Sequence, residues 1–163
     1  MTLKNKNKNK KEKITMTNPI HRPVLCDEVL GWLKPKPGDR YLDLTAGYGG
    51  HARMVADRIG QMGSLTLVDR DIAAVNHLKN QFNKTGNVAI LHTDFLSASK
   101  ALVQAGTKFD LILADIGVSS PHLDNPDRGF SFSNSGPLDM RMDQSSGISA
   151  AELLETISVE ELA

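Results

Sequence analysis

Residues 41–52 read YLDLTAGYGGHA, an apolar run followed at once by a glycine-rich bend. The run at 41–44 predicts a buried strand, and the bend at 45–50 predicts a tight turn into a helix that ends near Gly60. Glycines let a backbone turn sharply and approach a ligand, because no Cβ stands in the way. The stretch therefore predicts a strand, a ligand-binding loop and a helix in succession.

The same alternation continues along the chain. Apolar, strand-like runs occur at 65–68, 88–91 and 109–114, and helical spacing occurs at 71–82 and 97–104. Strands separated by helices pair in parallel through right-handed crossovers, and apolar strands without alternation are typical of a sheet covered on both faces. The sequence therefore predicts a doubly wound, mostly parallel α/β sheet, of which this chain carries the first four strands.

A further helix is predicted at 23–33, ahead of the first strand. Its apolar residues recur at helical spacing, and Leu25, Val29, Trp32 and Leu33 are expected to form its buried face. Such a face would pack the helix against the rest of the domain.

The 163 residues carry 19 basic and 19 acidic side chains and a single cysteine. Residues 1–18 carry six lysines, one acid and almost no apolar side chains, so they predict a disordered basic tail in front of a domain at 19–148. One cysteine cannot form an internal disulfide, which favours the reducing cytoplasm, and no metal-ligand pattern is recognised. No window approaches about 18 apolar residues, so no membrane association is expected.

Residues 116–148 show no sustained period, and their position directly after a strand favours a functional loop. Two capping boxes follow, Ser149 with Glu152 and Ser158 with Glu161, and each predicts the start of a helix. The second helix has barely begun when the sequence stops, so we expect the chain to be the front part of a longer protein.

Three predicted strand ends carry an acid: Asp43, Asp69 and Asp115. Ligands of open α/β sheets bind outside these ends, and Asp69, nineteen residues after Gly50, could accept hydrogen bonds from ribose hydroxyls. The bend formally matches the dinucleotide fingerprint, but the Asp43 carboxylate would repel a pyrophosphate. The same carboxylate would suit S-adenosylmethionine, because that ligand carries an ammonium, a sulfonium and no phosphate. An NAD-dependent oxidoreductase remains the alternative.

The chain also contains the runs HRPVLCDEVL, DLTAGYGGHA, VDRD and DIGVSSPHLDNPDRGFSFSNSGPLDMRMD. In these runs, and from about residue 20 to its end, it resembles the MraW family, the ribosomal RNA small-subunit methyltransferase H enzymes. The resemblance implies a Rossmann-like class I methyltransferase that uses S-adenosylmethionine to methylate the N4 amine of a cytidine in 16S rRNA of the small ribosomal subunit. It also implies that residues 149–163 begin a helical domain inserted into the sheet.

Carried over residue by residue, the resemblance places the methyl-donor site at Gly49, Gly50, His51, Asp69, Phe95, Asp115 and His122. His122 departs from the family's usual glutamine, and an imidazole is shorter and can titrate. Asp115 is the expected catalytic residue, because an acceptor near the N4 protons would favour the reactive form of the amine. The backbone carbonyls of residues 117–120 are the alternative acceptor. Phe95 could lie against the adenine or anchor the core, and both interpretations stay open.

The long loop offers further candidates. Arg128, Phe130 and Phe132 could clamp a flipped base or pin the loop to the sheet, and pinning is the preferred interpretation for the two phenylalanines. We expect a network that orders the loop, rather than a metal site, from three charged residues: Asp139, Arg141 and Asp143.

In the family's order, the strand at 109–114 lies beside the strand at 41–44 and leaves one edge unpaired. An apolar, unpaired edge invites association with another chain. We therefore expect self-association of this piece, and a non-catalytic RNA-binding fragment remains a further alternative.

Overall fold

Four short parallel strands form the centre of the structure, a computed structural model that describes residues 23–162. Their bounds are Arg40–Asp43 (β1), Ser64–Asp69 (β2), Val88–His92 (β3) and Leu111–Leu113 (β4). The strand order is β3-β2-β1-β4, and every neighbouring pair is parallel. The predicted parallel sheet, with β4 beside β1, is confirmed. The tail predicted at 1–18 lies outside the described residues.

Helices alternate with the strands in the first part of the chain. Their bounds are Cys26–Leu33 (α1), Gly50–Ile59 (α2), Ile72–Gln81 (α3) and Phe95–Gln104 (α4). After β4 the helices are short: Ser120–Asp124 (α5), Ala150–Thr156 (α6) and Val159–Leu162 (α7), with a 3-10 turn at Pro126–Arg128. Among residues 23–162, no helix is long and apolar enough to cross a bilayer.

Helices cover both faces of the sheet, which makes the fold Rossmann-like and doubly wound. Tyr41 points to the face covered by α1, α2 and α3, where Val55 belongs to the same buried cluster. Its neighbour Leu42 points to the opposite face and packs with Val68 and with Ala98 of α4. Burying an aliphatic side chain of this kind stabilises a fold by about 1.5–3 kcal/mol. Because both faces are buried, the strands are apolar without alternation, as the sequence predicts.

The buried face of α1 differs from the predicted one. Cys26 and Leu30 are buried, whereas Trp32 is 86% exposed and Leu25 is 61% exposed. Leu25 precedes the helix in the left-handed conformation, so the helix begins at Cys26, three residues later than predicted, and its buried residues, Cys26 and Leu30, are four positions apart. The helix is confirmed. Its predicted buried face was wrong for Leu25 and Trp32, whereas Leu33 packs against the core as expected.

The strand predicted at 109–114 is shorter at both ends. It pairs with Tyr41–Asp43 of β1, so its ladder is limited to three residues. Pairing therefore stops at Leu113, and Asp115 belongs to the loop that follows.

Both predicted capping boxes are present. At the start of α6, the N–H of Ser149 donates to Glu152 Oε2 (2.7 Å) and the N–H of Glu152 donates to Ser149 Oγ (3.2 Å). Ser158 and Glu161 bond in the same way at α7. These bonds satisfy donors that have no partner within the first turn of a helix. The assignment of 149–163 to a further domain stays a prediction.

Candidate functional site

A cavity of about 730 Å³ opens beyond the carboxyl ends of β1, β2 and β4. It lies where the strand order changes direction, between β1 and β4, which is the usual position of ligands in open α/β sheets. Its volume is typical of small-molecule sites. Six of the seven predicted site residues line it: Gly50, His51, Asp69, Phe95, Asp115 and His122.

The glycine bend is held closely between two parts of the structure. Gly49, at the N-terminus of α2, has φ of +77°, and a Cβ there would lie 2.6 Å from the Oε1 atom of Gln81 and 2.8 Å from a methyl carbon of Leu78. A Cβ on Gly50 would collide with the ring of Pro23. Both positions therefore require glycine, and the bend has little room to move.

Asp69 fixes the bend to the end of β2. Its Oδ2 atom accepts a hydrogen bond from the N–H of Gly47 (2.7 Å), and its Oδ1 atom accepts one from the N–H of Asp71 (2.8 Å). A carboxylate has about four lone-pair positions, so these two bonds leave acceptor capacity on the cavity side. Asp69 is therefore an oriented acceptor at the cavity wall.

Asp43 does not line the cavity. It is 1% exposed, and its oxygens accept hydrogen bonds from the Tyr41 hydroxyl (2.8 Å) and the N–H of Thr45 (3.2 Å). Burial raises the pKa of its carboxyl to about 6, and these two bonds oppose the rise only in part. Asp43 shares a strand face with Tyr41, because side chains alternate with period 2. Asp43 holds the start of the bend through its bond to Thr45, and its carboxylate does not contact the cavity.

Asp115 and His51 face each other at the cavity. The Asp115 side chain is 64% exposed, and its Oδ2 atom lies 3.9 Å from Nε2 of His51. His51 is largely buried, and desolvation lowers its pKa although Asp115 opposes the shift. His51 is therefore neutral at neutral pH. A neutral ring forms no ion pair with Asp115, whose side chain also lines the cavity.

Phe95 begins α4 and is 47% exposed at the cavity. An anchor of the core would be buried, so the geometry favours the interpretation in which the ring contacts a ligand. The preceding Asp94 caps α4, because its Oδ1 atom accepts hydrogen bonds from the N–H groups of Leu96 (2.9 Å) and Ser97 (2.8 Å). The ring is thus held at a fixed helix start.

His122 lines the cavity, but both of its ring nitrogens are bonded to the protein. Nδ1 accepts a hydrogen bond from the N–H of Ser119 (3.1 Å), and Nε2 lies 2.9 Å from Oδ2 of Asp71. A backbone N–H can only donate, so the proton of the neutral ring is on Nε2. The ring surface of His122 can therefore contact a ligand, while both ring nitrogens are occupied by hydrogen bonds to Ser119 and Asp71.

The long loop is ordered by its own side chains. Arg128 is buried, and Phe130 packs against the His122 ring with centroids 5.3 Å apart. Both pin the loop. Phe132, between Ser131 and Ser133, is fully exposed, so the pinning interpretation was wrong for this residue.

The predicted charge network of the loop is present. Arg141 donates to both oxygens of Asp139, at 2.9 Å from Nε and 2.8 Å from Nη2, and it also reaches the carbonyl of Gly147. Asp143 accepts from Ser145 and Ser146. These bonds close successive turns of the loop.

Asp71 is the residue that the sequence analysis missed. It is buried behind the cavity wall, where it accepts hydrogen bonds from both His122 and Arg128. The only signal in the sequence is its place as the second acid of the VDRD run. Its partners lie 51 and 57 residues away along the chain, so no local pattern could have revealed them.

Comparison with known proteins gives the family. The model of the MraW methylase family matches residues 18–163. The chain belongs to the MraW methylase family. Curated relatives in it include the ribosomal RNA small subunit methyltransferase H of Halorhodospira halophila, 43% identical over 149 residues, which cover 90% of this chain and 46% of that protein. The protein of the same name from Mycoplasma genitalium is 47% identical over 127 residues, covering 77% of this chain and 41% of the relative.

The chain spans somewhat less than half the length of these MraW relatives. Among solved structures, NSun6 from Pyrococcus horikoshii matches with a TM-score of 0.48 and 22% identity, over 58% of this chain and 24% of that one. Aeropyrum pernix fibrillarin matches with a TM-score of 0.46 and 21% identity, over 58% of this chain and 37% of that one. The strand order described above, rather than these matches, establishes the fold.

Proposed function

We propose that the protein is a methyltransferase that uses S-adenosylmethionine to methylate the N4 amine of a cytidine in 16S rRNA of the small ribosomal subunit, in the cytoplasm. Membership of the MraW family supports the proposal. The observation that carries it is the cavity at the change of strand order, which is lined by six of the expected donor-site residues. The curated relatives are named as methyltransferases of small-subunit ribosomal RNA.

The cavity fits an adenosyl ligand by its chemistry. Asp69 offers an oriented carboxylate for ribose hydroxyls, and Phe95 offers an exposed ring for the adenine. Gly50 lines the cavity, and Gly49, which does not, keeps the adjoining bend tight through its positive φ. The donor would supply a methyl group on a sulfonium, whose transfer requires no metal.

Asp115 is the proposed proton acceptor. As the amine nitrogen forms its bond to the methyl carbon and the carbon–sulfur bond breaks, one N4 proton must leave. The exposed Asp115 carboxylate lies at the cavity, and a neutral His51 does not cancel its charge. An anionic acceptor stabilises the positive charge that develops on the amine.

Calorimetry and a transfer assay test the proposal. We expect the chain to bind S-adenosylhomocysteine and to ignore NAD, with Asp69→Asn weakening the binding about tenfold or more, since an amide replaces one acceptor by a donor. NAD bound firmly and S-adenosylhomocysteine ignored would overturn the proposal in favour of an oxidoreductase.

The Asp115→Asn variant separates catalysis from binding. Its affinity for S-adenosylhomocysteine should stay close to that of the wild type, whereas methyl transfer to small ribosomal subunits should fall by about 10²-fold or more. Asp110→Asn is the matched control, because that exposed aspartate lies outside the cavity lining. Unchanged transfer by Asp115→Asn would exclude the acceptor role. Binding without any transfer, also in a chain extended to the relatives' length, would favour the non-catalytic alternative.

A further inference from the structure

A buried cluster of charge lies directly behind the cavity wall. Among residues 23–162, four polar or charged residues are buried: Asp43, Asp71, His122 and Arg128. Three of them, Asp71, His122 and Arg128, meet at a single oxygen atom. Oδ2 of Asp71 lies 2.9 Å from Nε2 of His122 and accepts a hydrogen bond of 2.9 Å from Nη1 of Arg128.

Asp71 connects three parts of the structure. Its Oδ1 atom caps α3 by accepting from the N–H of Ala73 (2.9 Å), and its own N–H donates to Oδ1 of Asp69 (2.8 Å). Its Oδ2 atom holds the two loop residues, and those bonds lower its pKa to about 2 although burial alone would raise it. Asp71 therefore joins three parts of the structure: its backbone N–H holds Asp69 at the cavity wall, and its carboxylate holds the start of α3 and the loop.

Arg128 extends this connection to the far end of the loop. Its Nη2 atom donates to the carbonyl oxygens of Met142 (2.7 Å) and Arg141 (3.3 Å), and its carbonyl accepts from the N–H of Met140 (3.0 Å). Met142 and His122 line the cavity, whereas Asp71 and Arg128 do not. Asp71 and Arg128, which do not reach the cavity, therefore hold in place the two loop segments that line it, around His122 and around Met142.

We propose that Asp71, Arg128 and His122 form a latch that positions the loop 119–142 over the cavity, so that affinity for the adenosyl ligand depends on Asp71 without contact between them. The inference rests on the proposed function, because it concerns the same cavity. Asp71 and Arg128 are positioning residues in it. Removing either leaves the other as an unpaired buried charge, and releasing the loop would return that charge to water.

The ligand-binding test uses the whole 163-residue chain and S-adenosylhomocysteine as the probe. Asp71→Asn retains an oxygen to cap α3 but turns an amide N–H₂ towards the donors of Arg128 and His122. We expect its dissociation constant to rise about tenfold or more. Arg128→Met should have a similar effect, and Arg128→Lys, which keeps one donor for Asp71, a smaller one.

The matched control is the Asp110–Arg40 pair, in which the carboxylate also bonds a backbone N–H and a guanidinium. Asp110→Asn and Arg40→Met lie outside the cavity lining and should leave the dissociation constant unchanged. Wild-type binding retained by Asp71→Asn and Arg128→Met would overturn the latch while leaving the proposed function intact.

Two measurements without ligand judge the latch separately. Hydrogen exchange of the segment 119–142 should accelerate in Asp71→Asn and not in Asp110→Asn, and equal exchange in both would overturn the latch. Nitrogen-15 spectra of the wild type should show His122 protonated at Nε2, and a ring protonated at Nδ1 would contradict it. If the wild type binds no S-adenosylhomocysteine, the proposed function fails and these two results alone decide whether the latch exists.

Discussion

At the end of β1, burial raises the pKa of the Asp43 carboxyl to about 6, even though Tyr41 and Thr45 donate hydrogen bonds to it. The folded protein therefore binds a proton at Asp43 over a pH range in which the unfolded chain has lost it. Between about pH 4 and pH 6, this group makes the folded state less stable as the pH rises, because stability falls wherever the folded state binds more protons.

The Asp43→Asn variant measures this effect. An amide keeps a neutral side chain at every pH, so the variant should gain stability relative to the wild type as the pH rises. We expect the difference in unfolding free energy between the two proteins to change by about 2 kcal/mol between about pH 4.5 and pH 7.5. Urea unfolding at the two pH values checks it, and a difference independent of pH would show that Asp43 titrates normally.

Two further residues differ from Asp43 although each follows or ends a strand. Asp69 is oriented by Gly47 and Asp71 at the cavity wall, and Asp115 is exposed at the cavity. Adjacency to a strand end is visible in the sequence. Which way each carboxylate points depends on the phase of its strand and on the loop that follows.

Among the elements, the bend between β1 and α2 is tightly constrained. Gly49 has a positive φ and is enclosed by Leu78 and Gln81, whereas Gly31 in α1 has nothing within 4 Å of the position of a Cβ. The two positions therefore differ in whether they can accept a side chain. Gly49 is required by the geometry of the bend, and Gly31 only weakens its helix.

Replacing each glycine by alanine separates these reasons. Gly49→Ala should lower the free energy of unfolding by about 1–3 kcal/mol, through backbone strain and the collision with Leu78, and should weaken S-adenosylhomocysteine binding. Gly31→Ala should raise the free energy of unfolding by about 0.5–1 kcal/mol, because alanine loses less entropy in a helix. Chemical denaturation of both variants is the measurement, and equal stabilities would show that the bend tolerates a side chain.

For the molecule as a whole, the sheet edge at β4 determines whether the chain is expected to associate with itself. Within residues 23–162, β4 pairs with β1 on one side and with no strand on the other, and Ile112 is 56% exposed. Unpaired edges with apolar side chains are templates for pairing with another chain. We therefore keep the prediction that the 163-residue chain associates with itself.

Sedimentation over a wide concentration range checks the association. The wild type should form larger species as its concentration rises, and Ile112→Lys should reduce them, because a charged side chain on an edge strand opposes pairing. Val103→Lys is the control, since Val103 is 77% exposed and belongs to the helix α4 rather than to a strand. A wild type that stays monomeric at every concentration would refute the prediction.

The sequence by itself determined the order of strands and helices, the parallel sheet, the glycine bend and the capping boxes. Each of these depends on period, spacing or neighbours within a few residues, which a sequence displays directly. The presence of Asp69 and Asp115 at the cavity followed from the same order, since parallel strands bring their carboxyl ends to one edge. His51, Phe95 and His122 were expected there only from the family resemblance.

Only the tertiary structure decided which side of α1 is buried, that Asp43 faces the interior, and that Asp71 joins His122 and Arg128. The period of the apolar residues indicates that a helix or strand exists. It does not settle which of its faces is buried, because that depends on the elements that pack against it. Contacts between residues 51 and 57 positions apart depend on how a long loop folds back, and no local pattern carries that information.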